Sequence, residues 1–378
     1  MMGFAGEQVI VGFLIYDFTG STAWVGVSLA LAFGPMLLFG APAGILADRM
    51  ERRKLLPACE FSIALLLGSY AALVYFSGIQ LWIILTVAFV SGSIRAIHSP
   101  IRTSYVYDLV GTDNIVSSLG LLNLGIRTGQ LAGASLAGLA IKFYGPALAF
   151  ALLCFGHCIS LAVLLNLSNA GRSADFKPSS LSDQFGEFGK ELMTNRSLQL
   201  IILITAAIEI FGFSFATALP EIAKTKLDVD ASGLGFMHTA RALGGMVAGI
   251  VFASSLNLSH KGSIYMAVTF GFGAAVAGLG LSPNFTIAVI AIAIIAAMAA
   301  STDVLSQSMM QMVVPDHLRG RAMGAWVFAV GIAPVGHIEA GLLSELVGAD
   351  IAMVINGTAL MITTVLVLLI FPGKLKSL

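Results

Sequence analysis

Residues 39–54 read FGAPAGILADRMERRK, an apolar helical run packed with small residues that leads into a carboxylate and then a basic cluster. Gly40, Ala41, Ala43, Gly44 and Ala47 leave little side-chain bulk on one flank, so a neighbouring backbone can approach closely. Asp48 ends that flank, where a carboxylate suits the positive N-terminal end of a neighbouring helix. Arg49, Arg52, Arg53 and Lys54 follow, suited to the cytoplasmic surface of a bilayer. The stretch marks a membrane edge; an ordinary positive-inside loop is the plainer alternative.

Of the 378 residues, 57% are hydrophobic and 11% charged, and the mean hydropathy is +0.93. That is far too apolar for one soluble core, so the expected fold is an all-α polytopic membrane protein embedded in a lipid bilayer. Apolar runs near twenty residues give about twelve transmembrane helices, at 2–17, 23–47, 55–77, 80–106, 115–142, 145–167, 197–223, 232–256, 263–281, 285–312, 320–346 and 350–371. Helix 1 looks shortened, with about 16 residues, or roughly 24 Å, before Asp17 against about 30 Å of hydrocarbon. A coding start upstream of Met1 is therefore expected. No removable signal peptide is read at the N-terminus, and a formal net charge of zero suggests no nucleic-acid partner.

The segment 168–196 holds the only long polar stretch and divides the chain into two bundles, 1–167 and 197–378. Within it Leu181, Phe185, Phe188 and Leu192 recur at helical spacing, which predicts a short surface helix or a disordered linker. Basic residues decide the orientation: 13 fall on one side of the predicted helices and 3, Lys142, Lys224 and Lys226, on the other. Both termini are thereby expected in the cytoplasm, and the chain in the cell (inner) membrane.

The halves read as a duplication. A shift of 203 positions pairs Gly133 with Gly336, Gly138 with Gly341 and Gly145 with Gly348, while Gly26 and Gly40 repeat at Gly235 and Gly249 with a slightly different shift. Two pseudo-symmetric six-helix bundles around a central site follow from this. The counterpart of the opening stretch after helix 8, SSLNLSHKGS, lacks its acid. The later loop Val314, Pro315, Asp316, His317, Leu318, Arg319, Gly320, Arg321 joins a proline turn to paired arginines.

Gly44, Leu46, Ala47, Asp48, Arg49, Arg52 and Arg53 resemble the loop signature between helices 2 and 3 of the major facilitator superfamily, with Glu51 in place of its later glycine. The loop with Asp316, Arg319 and Arg321, together with YDFTGS at 16–21, FGFSFATALP at 211–220 and Pro334, Val335, Gly336, is similar to the enterobactin-exporter-like branch called transmembrane secretion effectors. Gly125, Gly129 and Gly133 resemble the exporter motif of helix 5, although Gln130 stands where its proline would be. The resemblance implies the major facilitator fold, proton antiport, and export of a small apolar or amphipathic molecule such as a drug, siderophore or metabolite. It implies a cytoplasmic gate at Gly44, Asp48, Arg49, Arg52 and Arg53.

Ionisable residues deep in apolar helices are costly and mark functional candidates. Glu7 in helix 1 and Glu209 in helix 7 lie 202 positions apart, close to the repeat shift, and are expected to face a central cavity. Arg95, Arg127 and Arg241 are cationic candidates, and Asp303 and Glu339 are further acids; permanent ion pairing or snorkelling is the bland alternative. Coupling is placed on Glu209, whose neighbours Ile208, Ile210, Phe211 and Phe213 are apolar, with Arg127 or Arg241 as its partner. Cys154, His157 and Cys158 share a helical face but read as packing rather than a metal site, as do His98, His238 and His337. Pro35, Pro42, Pro100, Pro220 and Pro334 predict bends.

No phosphate-binding G-x-x-x-x-G-K-[ST] loop, H-E-x-x-H or G-x-S-x-G is present, so ATP-driven transport and an intramembrane enzyme are set aside and no cofactor is expected. A degenerate, non-transporting membrane protein is the remaining alternative. Substrate identity and oligomeric state are not read, the monomer being the working form.

Overall fold

The computed structural model describes residues 2–49, 51–77, 80–110, 115–166, 192–254, 260–315 and 318–371. Among the described residues every regular element is helical. The predicted surface helix within 181–192 lies almost wholly outside them.

In the first half run α1 (Met2–Thr19), α2 (Thr22–Arg49), α3 (Arg52–Ser77), α4 (Leu81–Val110), α5 (Ile115–Tyr144) and α6 (Pro146–Leu165). The seventh span is interrupted: α7 (Arg196–Ala207), a π-helical turn Ile208–Gly212, α8 (Phe215–Glu221) and a second π turn Ile222–Lys226. Then come α9 (Ala231–Ser254), α10 (Lys261–Gly280), α11 (Phe285–Met312), α12 (Arg319–Val330), α13 (Ala333–Val347) and α14 (Ala349–Ile370). Counting 196–226 and α12 with α13 as single spans gives the expected twelve. Ten are long and apolar enough to cross a membrane. The other two are α1, of 18 residues, and α5, which carries Asn123, Arg127 and Gln130.

Proline and capping residues explain where the helices break. Pro334 sits in the first turn of α13, directly after the break at Gly331 and Ile332. Pro220 lacks an amide hydrogen and stands just before the second π turn. In the first π turn the Phe213 amide donates to the Ile208 carbonyl at 2.9 Å, a five-residue step that accommodates one extra residue. Asn195 caps α7 by accepting from the Leu198 amide at 3.1 Å, and Asn284 caps α11 from Ile287 at 3.0 Å.

By packing, the chain forms two compact units, Met1–Phe176 with Ala223–Ala242, and Lys177–Ile222 with Leu243–Leu378. Within the first, α2 lies along α4, α3 along α6 and α1 along α5. Within the second, α10 lies along α14 and the first π turn packs on α13. Helices in a bilayer gain little from apolar burial against one another, so close backbone approach does the work. A methyl group on Gly6 of α1 would stand 3.0 Å from the Gly133 carbonyl of α5. The second unit repeats that approach, since a methyl group on Gly336 of α13 would collide with the Ile210 carbonyl.

The two halves keep different registers in different places. Gly145 and Gly348, both at positive φ of 83° and 87°, immediately precede α6 and α14 and stand 203 residues apart. The first residues of α2 and α9, Thr22 and Ala231, stand 209 apart. The two registers therefore differ by six residues. The loop after the second π turn lies in the segment Ala223–Ala242, which packs with the first unit.

Candidate coupling site in the first unit

Glu7 is buried on α1, and Arg95 reaches it from α4. Arg95 Nη1 donates to Glu7 Oε2 at 2.8 Å and Nη2 to Oε1 at 3.0 Å, a two-pronged guanidinium–carboxylate pair. One turn earlier on α4, the buried Ser91 hydroxyl donates to Glu7 Oε1 at 2.5 Å and accepts from Arg95 Nη2 at 2.6 Å. The Phe4 ring lies 4.6 Å under the guanidinium carbon, on the same face of α1 one turn from Glu7. Ser91 and Arg95 are four residues apart and so share a helix face, which lets one carboxylate engage both.

Two further arginines of the first unit bond to glutamine side chains. Arg241 Nη1 donates to Gln8 Oε1 at 3.5 Å, and Arg127 Nη1 to Gln130 Oε1 at 3.4 Å. A buried ion pair of the Glu7–Arg95 kind is stable only while both charges are present.

In the second unit Glu209 is buried in the first π turn, and its charged neighbour is an acid, Asp303 on α11. Among the described residues, Glu7 holds an arginine in an ion pair at 2.8 Å and Glu209 does not. Glu339 accepts from Asn356 Nδ2 at 3.0 Å, and the same amide group donates to Ser214 at 3.2 Å. His337 contacts the Thr217 hydroxyl through Nδ1 at 3.0 Å.

The opening stretch is described only in part. Gly44, Asp48 and Arg49 occupy the last turns of α2, but their side chains lie outside the described ones. Arg52 begins α3 and is buried, whereas Arg53 is exposed and Lys54 pairs with Glu51 at 2.9 Å. Asp316 lies outside the described residues; Arg319 and Arg321 are in the first turn of α12 with their side chains outside the description.

Two groups of contacts have no counterpart in the sequence reading. Glu60 of α3 is buried between two imidazoles, with His157 Nδ1 of α6 at 2.6 Å from Oε2 and His98 Nε2 of α4 at 3.3 Å from Oε1. Cys154 instead donates to the Ala64 carbonyl at 3.2 Å, so the cysteines of α6 do not converge with His157. Far from these, Lys224 pairs with Asp17 at 2.5 Å and Lys142 with Asp230 at 3.0 Å. Asp230 also caps α9, accepting from the Ser232 and Gly233 amides at 3.0 and 3.2 Å. The Ser232 hydroxyl, then Lys142 and the Gly233 amide, hold its carboxyl down at about 2 against a smaller opposing effect of burial.

Known proteins match across nearly the whole chain. A staphyloferrin A transporter of Staphylococcus aureus (strain NCTC 8325 / PS 47) is 22% identical over 374 residues, covering 96% of this chain and 90% of that protein. The enterobactin exporter EntS of Escherichia coli O81 (strain ED1a) is 25% identical over 390 residues, covering 98% and 88%. Among solved structures, the nucleoside transporter NupG superposes with a TM-score of 0.77 at 12% identity, covering 98% of each chain. A bacterial homologue of the lysosomal transporter Spinster, inward-facing, gives 0.73 at 14%, covering 100% and 94%. These structures share the major facilitator fold. The family model described as transmembrane secretion effector matches residues 2–376, and the chain belongs to that family of transporters.

Proposed function

We propose that this protein is a proton-driven exporter of a small amphipathic molecule of siderophore-like chemistry, working by alternating access. The observation that carries the reading is the buried Glu7–Arg95–Ser91 network, a carboxylate able to exchange its proton for a guanidinium. Two similar proteins are named for staphyloferrin A and enterobactin, which supports a siderophore-like substrate. The halves 1–167 and 197–378, joined by the linker 168–196, exchange access, with Asp48 and its arginines as the cytoplasmic gate. Both termini lie in the cytoplasm of a cell whose inner membrane holds the chain. That orientation is supported by Lys142 and Lys224: two of the three basic residues on the charge-poor side are each neutralised by a carboxylate.

Inside-out vesicles with an imposed proton gradient test the proposal, using radiolabelled catecholate and carboxylate siderophores. The wild type should concentrate at least one of them, and Glu7→Gln should abolish accumulation while retaining downhill exchange, which needs no net proton movement. A Glu7→Gln protein that concentrates substrate as the wild type does would remove Glu7 from coupling.

A further inference from the structure

We propose that Glu60, His98 and His157 form a second proton-binding site in the first unit, linked to Glu7 by a polar stripe along α4. A carboxylate buried on α3 meets one imidazole from α4 and another from α6, so three helices supply one titratable cluster. An ionised Glu60 accepts from both rings only if His157 carries its hydrogen on Nδ1 and His98 on Nε2. The other nitrogen of His157, Nε2, lies against Gly3 of α1, where any side chain would collide with it. That glycine makes room for the ring.

The stripe is a matter of helical register. Ser91, Arg95, His98 and Arg102 fall at spacings of four, three and four on α4, which puts all four on one face. The first two bind Glu7, the third binds Glu60, and Arg102 acts on Glu60 electrostatically. Arg102 Nε is buried without a hydrogen-bond partner. The stripe spans eleven residues, about 16 Å of helix. Glu60 lies eight residues, about 12 Å, from the start of α3 and its basic cluster.

The groups facing the cluster are Cys59 on α3 and Arg102 on α4; α1 presents Gly3 there, with Glu7 one turn farther on. Cys154 is occupied by the Ala64 carbonyl. Proton uptake forms one N–H bond on an imidazole lone pair as an O–H bond of a hydronium ion breaks and water leaves, giving an imidazolium paired with the Glu60 carboxylate.

The transport consequence rests on the proton-driven reading above, but proton binding itself is tested without transport. The full chain, with its six histidines labelled with nitrogen-15, is titrated in lipid nanodiscs by NMR, with His98→Asn and His157→Asn assigning the two signals. Wild-type His98 and His157 should titrate as a coupled pair, and Glu60→Gln should uncouple them and move their midpoints by about one pH unit or more. In vesicles the pH profile of transport should shift by a similar amount in Glu60→Gln, with the peak rate within about twofold, an energy change under one kcal/mol. Unchanged histidine titrations in Glu60→Gln, or loss of both signals on adding one equivalent of zinc to the wild type, would overturn the proposal. If Glu60→Gln does not fold, His98→Asn replaces it as the test of coupling: an unaltered His157 titration there overturns the proposal equally.

Discussion

Gly145 and Gly348 adopt nearly the same backbone conformation, φ 83° with ψ 173° and φ 87° with ψ 149°, each immediately before a helix. That region of backbone space is essentially closed to other residues. Space around the two differs: a methyl group on Gly145 meets nothing within 4 Å, while one on Gly348 meets Asp350 Oδ1 at 3.1 Å. Gly145→Ala therefore isolates the backbone strain and should lower stability by about 1–3 kcal/mol. Thermal unfolding of the purified protein checks this, and an unchanged melting temperature would show that the turn tolerates a side chain.

The Glu7–Arg95 pair predicts a non-additive result. Arg95→Ala leaves a buried carboxylate without its cation and should cost about 3–5 kcal/mol. Adding Glu7→Gln removes the orphaned charge, so the double variant should recover much of that loss. Melting curves of the two single variants and the double variant measure the coupling; simple addition would mean that the two groups do not stabilise one another. Arg95→Lys should retain the charge yet fail to restore full transport, because an ammonium cannot reproduce the two-pronged geometry.

Glu209 gives a second outcome. It sits in the π turn beside Asp303 with no cation in its ion-pair range among the described residues, so neutralising it removes a like-charge interaction. We expect Glu209→Gln to be as stable as the wild type or more so, while proton-driven accumulation is lost and exchange is kept. Accumulation at the wild-type level would take Glu209 out of the coupling machinery.

Asp230 carries a pH dependence outside the membrane-spanning segments. Its folded carboxyl is held near 2 while the ordinary value is 3.8, so its contribution to stability is full above about 4 and fades as pH falls through 2. The group is half exposed, so the effect is modest. Thermal unfolding of the wild type and Asp230→Asn between pH 5 and 2 should show a gap that narrows with acid. A gap that stays constant across that range would mean that the charge of Asp230 is not involved.

Apolar runs of membrane length made the twelve spans legible because the bilayer imposes one length scale on every helix. Proline and glycine marked the breaks at Pro220 and Pro334, and the repeat located Gly145 and Gly348. Glu7 and Arg95 were both visible as charges within apolar helices, but 88 residues separate them and no local pattern pairs them. Glu60 was hidden for a different reason. It lies near the start of α3, close to a loop full of charges, and only the packing of α4 and α6 shows that it is enclosed. The two π turns were also illegible, since an extra residue in a helical turn leaves the apolar composition unchanged.

The difference in register bears on the Lys224–Asp17 pair. The starts of α2 and α9 stand 209 residues apart and those of α6 and α14 stand 203 apart, so no single shift maps one run of helices onto the other. Lys224 lies in the second π turn and Asp17 in α1, and their bond at 2.5 Å joins positions 207 residues apart. It is a strap that ties the stretch leading into α9 to the first helix within one compact unit.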